Sequence, residues 1–518
     1  MVPPDNTLLQ SSQHANLSSE LGLPPVSVET LFKDVVERAR RLSQTAHEFR
    51  TSVLPEALNG LDYDQYRSIR FRPEAAVWKN IVPFEVQLFH PGSRYRKTVL
   101  LHLVEKEQIN TVPFDRALFQ YDGSTIPVAG MDGLEFGHAG FRIHYPLNEA
   151  SVSDEVIVFL GASYFRMLGR GHVYGLSCRG LAVDPGLNGD EEFPVFQEFW
   201  LVRPDPDATT MTFYGLLDSP SVTGAYRFDL HPGAPTNLDV EAKLFARNDI
   251  VKLGVAPMSS MFLYGENRIP HVDDFRPQVH DSDGLLIHMS TDEWIWRPLS
   301  NGPQVHVTTH SDHTPNGFGL VQRDRNFESY LDVEARYDRR PSAWITPSQG
   351  DWGSGHVELL AYASVSEFND NIAAYWVPDA PFKAGDERQY RYRVTMFDDR
   401  LETQTLAQVL RTRVGWDALP GEREPSPRSH RRFVVDFALG QDVLSEGPES
   451  VLGVLDSSSG QVSDLVVHRL PGERGWRASF RLIPDGNAAV ELRLYLVLGQ
   501  QRLTETWSYA WYPDHVID

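Results

Sequence analysis

Short apolar runs separated by turn residues constrain this chain more than any other feature. From about residue 66 onward, runs rich in Val, Tyr, Phe and Thr alternate with Gly, Pro, Asp and Asn, and several have the period of a half-buried strand. Long helical windows do not alternate with them. The sequence therefore predicts an all-β protein with a large, mostly antiparallel β-sandwich over residues 27–398. Representative runs are NIVPFEVQLFH, KTVLLHLVE, EVIVFLGASYF, MTFYGLL, DVEAKLFA, HVELLAY and QYRYRVTMF.

The N-terminal part departs from this pattern in two ways. Residues 1–26 are rich in Ser, Pro, Asn and Gln without any period, so we expect a flexible tail. Apolar residues then recur at helical spacing, with Ser27 placed to cap, which predicts an amphipathic helix over residues 28–48. The apolar positions are Val28, Leu31, Phe32, Val35, Val36, Ala39 and Leu42.

A second change of composition marks the C-terminal part. Residues 399–431 are rich in charge, Pro and Gly, which is typical of a linker. About six or seven strand-like runs follow within residues 432–518, the size of an immunoglobulin-like β-sandwich. The disulfide of true immunoglobulin domains is missing, because Cys178 is the only cysteine; we interpret it as a small buried side chain.

Charge and hydropathy limit the classes of partner. Lys and Arg total 48 and Asp and Glu total 70, which leaves a net charge of -22. A field of that sign repels a phosphate backbone, so we expect no nucleic-acid partner, whereas a neutral ligand is unaffected. The first residues show neither the basic region nor the apolar core of a signal peptide, and no run is long and apolar enough for a membrane span. We therefore expect no leader in this chain as given.

The stretch from His280 to Trp376 interleaves carboxylates, arginines and tryptophans with short strand-like runs. Sugars present hydroxyls and flat apolar faces, so their sites need charged hydrogen-bond partners beside aromatic platforms. The P-loop, HExxH, CxxC and GxSxG motifs are absent. The stretch therefore indicates a carbohydrate site whose chemistry rests on carboxylates, with no cofactor and no metal ion.

Three aspartates in this stretch are candidates for acid/base chemistry. Asp281 and Asp283 lie in HDSDG, a turn that opens into a strand, and either could serve the turn alone. Asp370 lies in FNDNIAAYW before an apolar strand, where partial desolvation would raise its pKa and keep it protonated near neutral pH. An Asx-turn explains Asp370 equally well, so the residues by themselves leave both interpretations open.

Candidate substrate-binding residues surround these acids. Large aromatic residues in β-sandwiches more often belong to the core, so each tryptophan is either a sugar platform or a core side chain. The two arginines precede a proline at a strand end, and they either bind the ligand or carry surface charge. The candidates are Trp294, Trp296, Trp352, Glu293, Asp351, Arg339 and Arg340, with Trp344 and Trp376 as further aromatic candidates.

Many blocks of this sequence, taken in order, resemble the periplasmic glucan biosynthesis proteins of the G and D types. The similarity extends over nearly the whole chain from about residue 28, and the number of blocks makes it specific. The blocks include LGASYFR, YGLSCRGLAVD, EEFPVFQEFW, KLGVAPMSSMFLYG, HDSDGL, EWIWRPL, GFGLVQRDR, YDRRPSAW, GDWGSGHVEL, NDNIAAYW and TETWSY.

The resemblance implies a fold, a location and an activity. It implies a mutarotase-like β-sandwich followed by a small immunoglobulin-like domain, in the periplasm. It also implies a role in making osmoregulated periplasmic glucans, and endo-acting, inverting hydrolysis of their β-1,2-linked backbone. By motif, the general acid corresponds to Asp370 in NDN, the general base to Asp281 in HDSDG, and a tyrosine near the proton path to Tyr337 in YDRRP. The family relays protons through waters and substrate hydroxyls, so a long carboxylate separation is compatible with inversion.

Two other functions stay open on the sequence. A non-catalytic protein could bind nascent glucan in the same cleft and present it to a membrane glucan synthase or to decorating enzymes. A mutarotase or epimerase would need a closed pocket sized for one sugar. The expected ligand is a β-1,2-glucan polysaccharide or oligosaccharide, and the synthase and a second copy of the chain, as a homodimer, are candidate protein partners.

Overall fold

The computed structural model describes residues 28–48, 54–106, 108–122, 137–187, 189–267, 273–350, 352–418, 421, 423, 426–438, 451–473 and 475–512. Within them the chain is built mainly from β-strands, which confirms the all-β prediction. The tail predicted for residues 1–26 lies outside the described residues. The α-helices are α1 (Val28–Ser43), α2 (Glu56–Asn59) and α3 (Tyr63–Arg67), and 3₁₀ turns cover Pro73–Ala75, Arg116–Leu118, Phe327–Ser329, Tyr337–Arg339 and Pro471–Glu473.

The strands are numbered in chain order. In the first part of the chain they are β1 (Ile69–Phe71), β2 (Glu85–Phe89), β3 (Leu100–Glu105), β4 (Gln108–Thr111), β5 (Phe119–Tyr121), β6 (Gly140–Tyr145), β7 (Asp154–Leu160), β8 (Tyr164–Met167), β9 (Ser177–Arg179), β10 (Leu181–Val183), β11 (Val195–Val202), β12 (Met211–Asp218), β13 (Val222–His231), β14 (Thr236–Ala246), β15 (Leu253–Ser260) and β16 (Phe262–Tyr264). They continue with β17 (Val279–His280), β18 (Gly284–His288), β19 (Trp294–Pro298), β20 (His306–His313), β21 (Gly317–Val321), β22 (Ser342–Gln349), β23 (Ser354–Ala361), β24 (Ile372–Pro378), β25 (Glu387–Phe397), β26 (Val409–Trp416), β27 (Arg431–Phe437), β28 (Val451–Ser457), β29 (Gln461–Arg469), β30 (Trp476–Ile483), β31 (Val490–Leu498), β32 (Gln501–Arg502) and β33 (Thr506–Trp511).

Two large sheets form the main sandwich. In the described residues, one sheet has the order β2–β6–β7–β8–β9–β15–β24–β23–β20, and β10 also pairs with β15. The other has the order β28–β31–β33–β19–β18–β21–β22–β25–β14–β13–β12–β11–β3–β4. Their ladders are antiparallel apart from β3 with β11 and β19 with β33 among the described strands. Antiparallel strands with one face on the core and the other toward solvent, such as β14, explain the alternation of apolar and polar residues in the sequence.

Aromatic rings fill the space between the two sheets. Phe141 and Phe159 on one sheet meet Phe199, Phe213 and Phe228 on the other, with ring centroids 4.9 to 6.1 Å apart. All five side chains are buried. Each ring contributes about 1.5–3 kcal/mol by leaving water, so this cluster is a principal source of the sandwich's stability.

Helix α1 confirms the predicted amphipathic helix, although it ends at Ser43 and not at residue 48. Its apolar face, with Leu31, Val35 and Ala39, packs on the outer side of β12, β13 and β14. Arg38 fixes the helix by donating two hydrogen bonds to the buried carboxylate of Glu198. Among the described helices, none has the length and apolar character needed to cross a membrane.

The C-terminal strands form a second, smaller sandwich. A sheet in the order β26–β27–β30–β29 faces β28, β31 and β33, and Phe433, Phe480 and Trp507 pack between them. Strand β26 lies inside residues 399–431, so this part of the segment predicted to be a linker forms a strand. The reason is long-range pairing with β27, which orders a segment whose local composition resembles a linker.

The two sandwiches share one sheet. Strand β33 runs parallel to β19, and Trp296 is paired in register with Trp507. The smaller sandwich's core consequently includes Trp294, Trp296 and Trp344 from the larger one. The C-terminal strands therefore extend the main sheet.

Candidate functional site

A polar row crosses the face of the first sheet that points away from the main core. Phe165, Cys178 and Met258 pair in register on β8, β9 and β15 and are buried in that core. Because side chains alternate along a strand, Ser177 and Ser259 point to the opposite face. There Arg166 Nε donates to Ser177 Oγ over 2.8 Å, and Arg179 Nε donates to Ser259 Oγ over 2.9 Å. The row places two arginines over buried serine hydroxyls, on the sheet face opposite the main core.

Asp281 lies above this row, directly after β17. Its backbone N–H donates to the Met261 carbonyl over 2.8 Å, and Arg340 Nη1 donates to its Oδ1. The residue is only 4 % exposed. Burial raises the pKa of Asp281 to about 6; Arg340 opposes the rise and the charge of Asp370 adds to it. Asp281 is therefore a carboxylate that changes charge close to neutral pH, and Asp370 is near enough to affect it.

Tyr337 and Arg340 come from one 3₁₀ turn and the residue after it. Tyr337 is buried, and its hydroxyl donates to Glu367 Oε2 over 2.6 Å. The guanidinium of Arg340 lies 4.2 Å from the centroid of the Tyr337 ring. Burial, followed by the hydrogen bond to Glu367, raises the pKa of Tyr337 above its usual range, so its hydroxyl stays protonated. The turn thus brings a phenol and an arginine to Asp281.

Asp370 occupies the loop between β23 and β24. The next residue, Asn371, anchors this loop: its side chain accepts from the Phe262 N–H and donates to the carbonyls of Phe262 and Tyr362. Asp370 itself is exposed, so the expected desolvation of this acid is wrong. It lines a surface depression, called the cleft below, together with Arg179, Glu191, Tyr362, Tyr375 and neighbouring apolar side chains.

The predicted tryptophan platforms are not available to a ligand. Trp294 and Trp296 are each 4 % exposed in the smaller sandwich's core, and Trp352 is 5 % exposed in the main core. Trp344 and Trp376 are buried as well. The prediction of sugar platforms at these positions is corrected, because the two inner sheet faces and the extra C-terminal strands cover their rings.

Other predicted binding residues serve different partners. Glu293 accepts hydrogen bonds from Arg493, Arg502 and Thr506, so it connects the two sandwiches and does not face the cleft. Arg339 is exposed and donates to the Gly171 carbonyl over 2.9 Å. Asp351 lies outside the described residues. Of the predicted substrate-binding residues that the structure describes, Arg340 is the one brought to the acids.

Asp283 lies in the same motif as Asp281, but its carboxylate bonds to the backbone of a neighbouring loop. Its Oδ2 accepts the backbone N–H groups of Arg323 and Asp324 over 3.0 and 3.1 Å. Burial raises the pKa of Asp283 to about 7. The HDSDG turn thus separates its acids: Asp281 joins the cluster around Arg340, whereas Asp283 organises the backbone behind it.

Sequence reasoning missed several polar residues of this region. Arg166, Arg179, Glu191 and Glu367 were not singled out, although the alternation of apolar and charged residues in LGASYFR places Arg166 on the face opposite Phe165. Arg179 Nη1 donates to Glu191 Oε1 over 2.6 Å at the edge of the cleft. Among the described residues, no three His, Cys, Asp or Glu side chains are grouped so that they could hold a metal ion.

Comparison with known proteins identifies the family. The family model described as "Periplasmic glucan biosynthesis protein, MdoG" matches residues 31–511. Glucans biosynthesis protein G of Ralstonia nicotianae is 44% identical over 488 residues, covering 93% of this chain and 95% of that protein. The proteins of the same name from Shewanella frigidimarina and Rhodopseudomonas palustris are 42% identical, covering 92% and 91% of this chain and 84% and 91% of their own lengths. This chain therefore belongs to the family of periplasmic glucan biosynthesis proteins.

Proposed function

We propose that this protein hydrolyses internal linkages of β-1,2-glucan by an inverting acid/base mechanism, during glucan biosynthesis in the periplasm. The observation that carries the proposal is a pair of carboxylates in unlike surroundings: Asp281 is buried against Arg340, and Asp370 is exposed at the cleft. Unlike environments divide the roles of acid and base between two carboxyl groups, and the resemblance of NDN and HDSDG to the family's motifs supports Asp370 as the acid and Asp281 as the base. Family membership supports a glucan as the ligand and the periplasm as the location.

The chemistry requires one proton to leave water and one to reach the leaving oxygen. Asp281, ionised above about pH 6, accepts the proton of the attacking water, directly or through hydroxyl groups beside Tyr337. The water oxygen bonds to the anomeric carbon as the glycosidic C–O bond breaks. Asp370 gives its proton to the departing oxygen. Attack opposite to the leaving group inverts the anomeric configuration.

Exposed phenylalanines take the place of the buried tryptophans as apolar platforms. Phe368, two residues before Asp370, is 91 % exposed, and Phe275 is 76 % exposed. Covering an apolar side chain of that size with a flat sugar face lowers the free energy of the complex. We infer that Phe368 contacts glucosyl units next to the cleavage point, while Arg166 and Arg179 bind their hydroxyls.

The first test is product formation from linear β-1,2-glucan by the purified chain, with anomeric configuration followed by NMR. We expect oligosaccharides of inverted configuration, and a loss of about 10²–10⁴-fold in kcat for Asp370→Asn and for Asp281→Asn. Asp485→Asn is the control, because Asp485 is an exposed carboxylate in the smaller sandwich. A wild-type chain that binds the glucan and never cuts it would contradict the hydrolase.

That contradicting result would favour a second function. The relatives are named for glucan biosynthesis, which also fits a non-catalytic protein that holds nascent glucan and presents it to a membrane glucan synthase. In that case Asp370→Asn and the wild-type chain would bind glucan with equal affinity. The two functions are thus separated by turnover, with binding measured on the same variants.

A further inference from the structure

One arginine ties together three loops at the edge of the candidate site. Arg276 Nη1 donates to Asp332 Oδ2 over 3.0 Å and to Glu367 Oε2 over 2.8 Å, and Arg276 Nη2 donates to Asp274 Oδ2 over 2.8 Å. These carboxylates come from the segments before β17, after β21 and after β23. Arg276 is half-buried, so the ion pairs are partly shielded from solvent. The arrangement fixes the relative positions of the three loops.

Glu367 links this arginine to the acids. Its Oε2 atom accepts from both Arg276 and the Tyr337 hydroxyl, the latter over 2.6 Å. Tyr337 in turn lies beneath the guanidinium of Arg340, which holds Asp281. Glu367 also precedes Asp370 by three residues in the same loop. One carboxylate is therefore connected to the acid through the chain and to the base through two side chains.

The hydrogen bond also orients the phenol. A tyrosine hydroxyl has a single proton, and here that proton is given to Glu367. The oxygen of Tyr337 then has only acceptor positions left for a water or a sugar hydroxyl. Without Glu367 the hydroxyl could rotate and present its proton to the water, which would oppose the movement of that water's proton toward Asp281.

We propose that Glu367 is a positioning residue that, held by Arg276, sets the direction of the Tyr337 hydroxyl beside Asp281. This inference rests on the proposed hydrolase function. A simpler role is that Glu367 anchors the loop to Arg276 and has no effect through Tyr337. The two roles differ in whether Glu367 and Tyr337 act on the rate together or independently.

A kinetic double-mutant cycle separates these roles. We expect Glu367→Gln to lower kcat by about 10²-fold with little change in KM, because misplacement of a reacting group costs about that much. We expect Glu367→Gln in a Tyr337→Phe background to lower kcat no further, because the phenol it orients is gone. Losses that multiply, or a Glu367→Gln variant with normal kcat, would overturn the positioning role.

Asp332→Asn is the matched control for the cycle. Asp332 binds the same arginine but does not contact Tyr337, so its effect should multiply with that of Tyr337→Phe. If Glu367→Gln fails to fold by thermal melting, Arg276→Lys tests the same coupling, because it keeps the charge and loses the fork of donors. A wild-type chain that does not cut glucan would overturn the proposed function and this role with it, whereas an active wild type with a multiplicative cycle would overturn this role alone.

Discussion

Two regions of this protein draw carboxylates, arginines and aromatic rings from the same part of the sequence, yet only one resembles a site. The first is the cleft with the cluster around Asp281 and Arg340. The second, which we call the junction, is where β18 and β19 meet β33 and the smaller sandwich. Their compositions are alike, so composition did not distinguish them.

The junction uses its polar groups internally. The guanidinium of Arg323 lies 3.7 Å from the centroid of the Trp296 ring and donates to Glu505 Oε2 over 2.8 Å. Glu505 is 0 % exposed, and the same oxygen accepts the Val409 N–H over 2.8 Å while its other oxygen accepts from Gln404. The carboxylate is bonded on both oxygens and shielded from ligands. Such a network holds two parts of a fold in one arrangement.

The candidate site, made of the cleft and the residues around Asp281, keeps part of its hydrogen-bonding capacity directed at solvent. Asp370 and Arg166 are exposed, and the Phe368 ring is almost fully accessible. Asp281 is buried, but its pKa is raised toward neutral pH, so it gains or loses a proton near that pH. The degree to which charged groups are already bonded, more than their type, therefore separates a binding site from a structural contact.

The greatest loss of stability is expected from a substitution in the junction. Glu505→Gln leaves Arg323 facing a neutral amide, and removal of one partner of a buried ion pair costs about 3–5 kcal/mol in free energy of unfolding. Urea denaturation should show this loss, while kcat of the folded protein stays unchanged. Glu387→Gln is the control, because its pair with Arg40 is on the surface and is worth about 0.2–1 kcal/mol. Equal losses in both variants would remove the distinction.

A second variant tests a tryptophan that was predicted to bind sugar. Trp296→Ala should lower the free energy of unfolding by about 3–5 kcal/mol, because it empties space in a packed core. KM for glucan should stay unchanged, since the ring has no exposed face. Thermal melting and initial rates on the same preparation measure both quantities. A raised KM with unchanged stability would restore Trp296 as a platform.

The pH dependence tests the cleft from the side of the base. Because Asp281 has a pKa of about 6, kcat/KM should fall as pH drops through 6 and the base takes up a proton. Arg340→Met removes the charge that opposes this rise, so the ascending limb should move up by about 1–3 pH units. Arg339→Met, which alters the neighbouring arginine that does not contact Asp281, should leave the position of the limb unchanged.

The raised pKa of Asp281 also makes the free energy of unfolding depend on pH. Its folded pKa lies above its ordinary value of 3.8, so the folded state binds more protons between about pH 4 and 6. The free energy of unfolding should therefore fall by about 3 kcal/mol as pH rises across that window, and Asp281 should have no further effect above it. In Asp281→Asn this contribution disappears. A wild type and variant with parallel stability profiles over that window would contradict the raised pKa.

Phe368→Ala should have the opposite consequences to Trp296→Ala, with a modest change in KM and none in stability. Phe368→Ala should raise KM by about 5- to 30-fold, which corresponds to about 1–2 kcal/mol of lost apolar contact with the sugar. Its melting temperature should not change, because the ring packs against little of the protein. Tyr63→Ala removes an exposed ring on α3 and should leave KM unaltered. A fall in stability without a change in KM would assign Phe368 to the fold.

Long-range pairing is what the sequence did not reveal. The residues of β26 look like a linker because their charge and flanking prolines are a local signal, whereas their strand forms by pairing with β27 and packing on the second core. The same holds for Glu293, whose partners Arg493 and Arg502 are some two hundred residues away. Neither contact is indicated by a pattern in the neighbouring residues.

By itself, the sequence determined the all-β class, helix α1 and the motifs that carry Asp281, Tyr337, Arg340 and Asp370, because alternation, helical spacing and motif blocks are local patterns. The tertiary structure decided which aromatic rings are covered and which acid is buried. It made Trp296 a core residue and left Phe368 exposed, and it buried Asp281 while leaving Asp370 in solvent. Burial depends on which distant strands pack against a residue, and burial sets both the pKa of an acid and the availability of a ring.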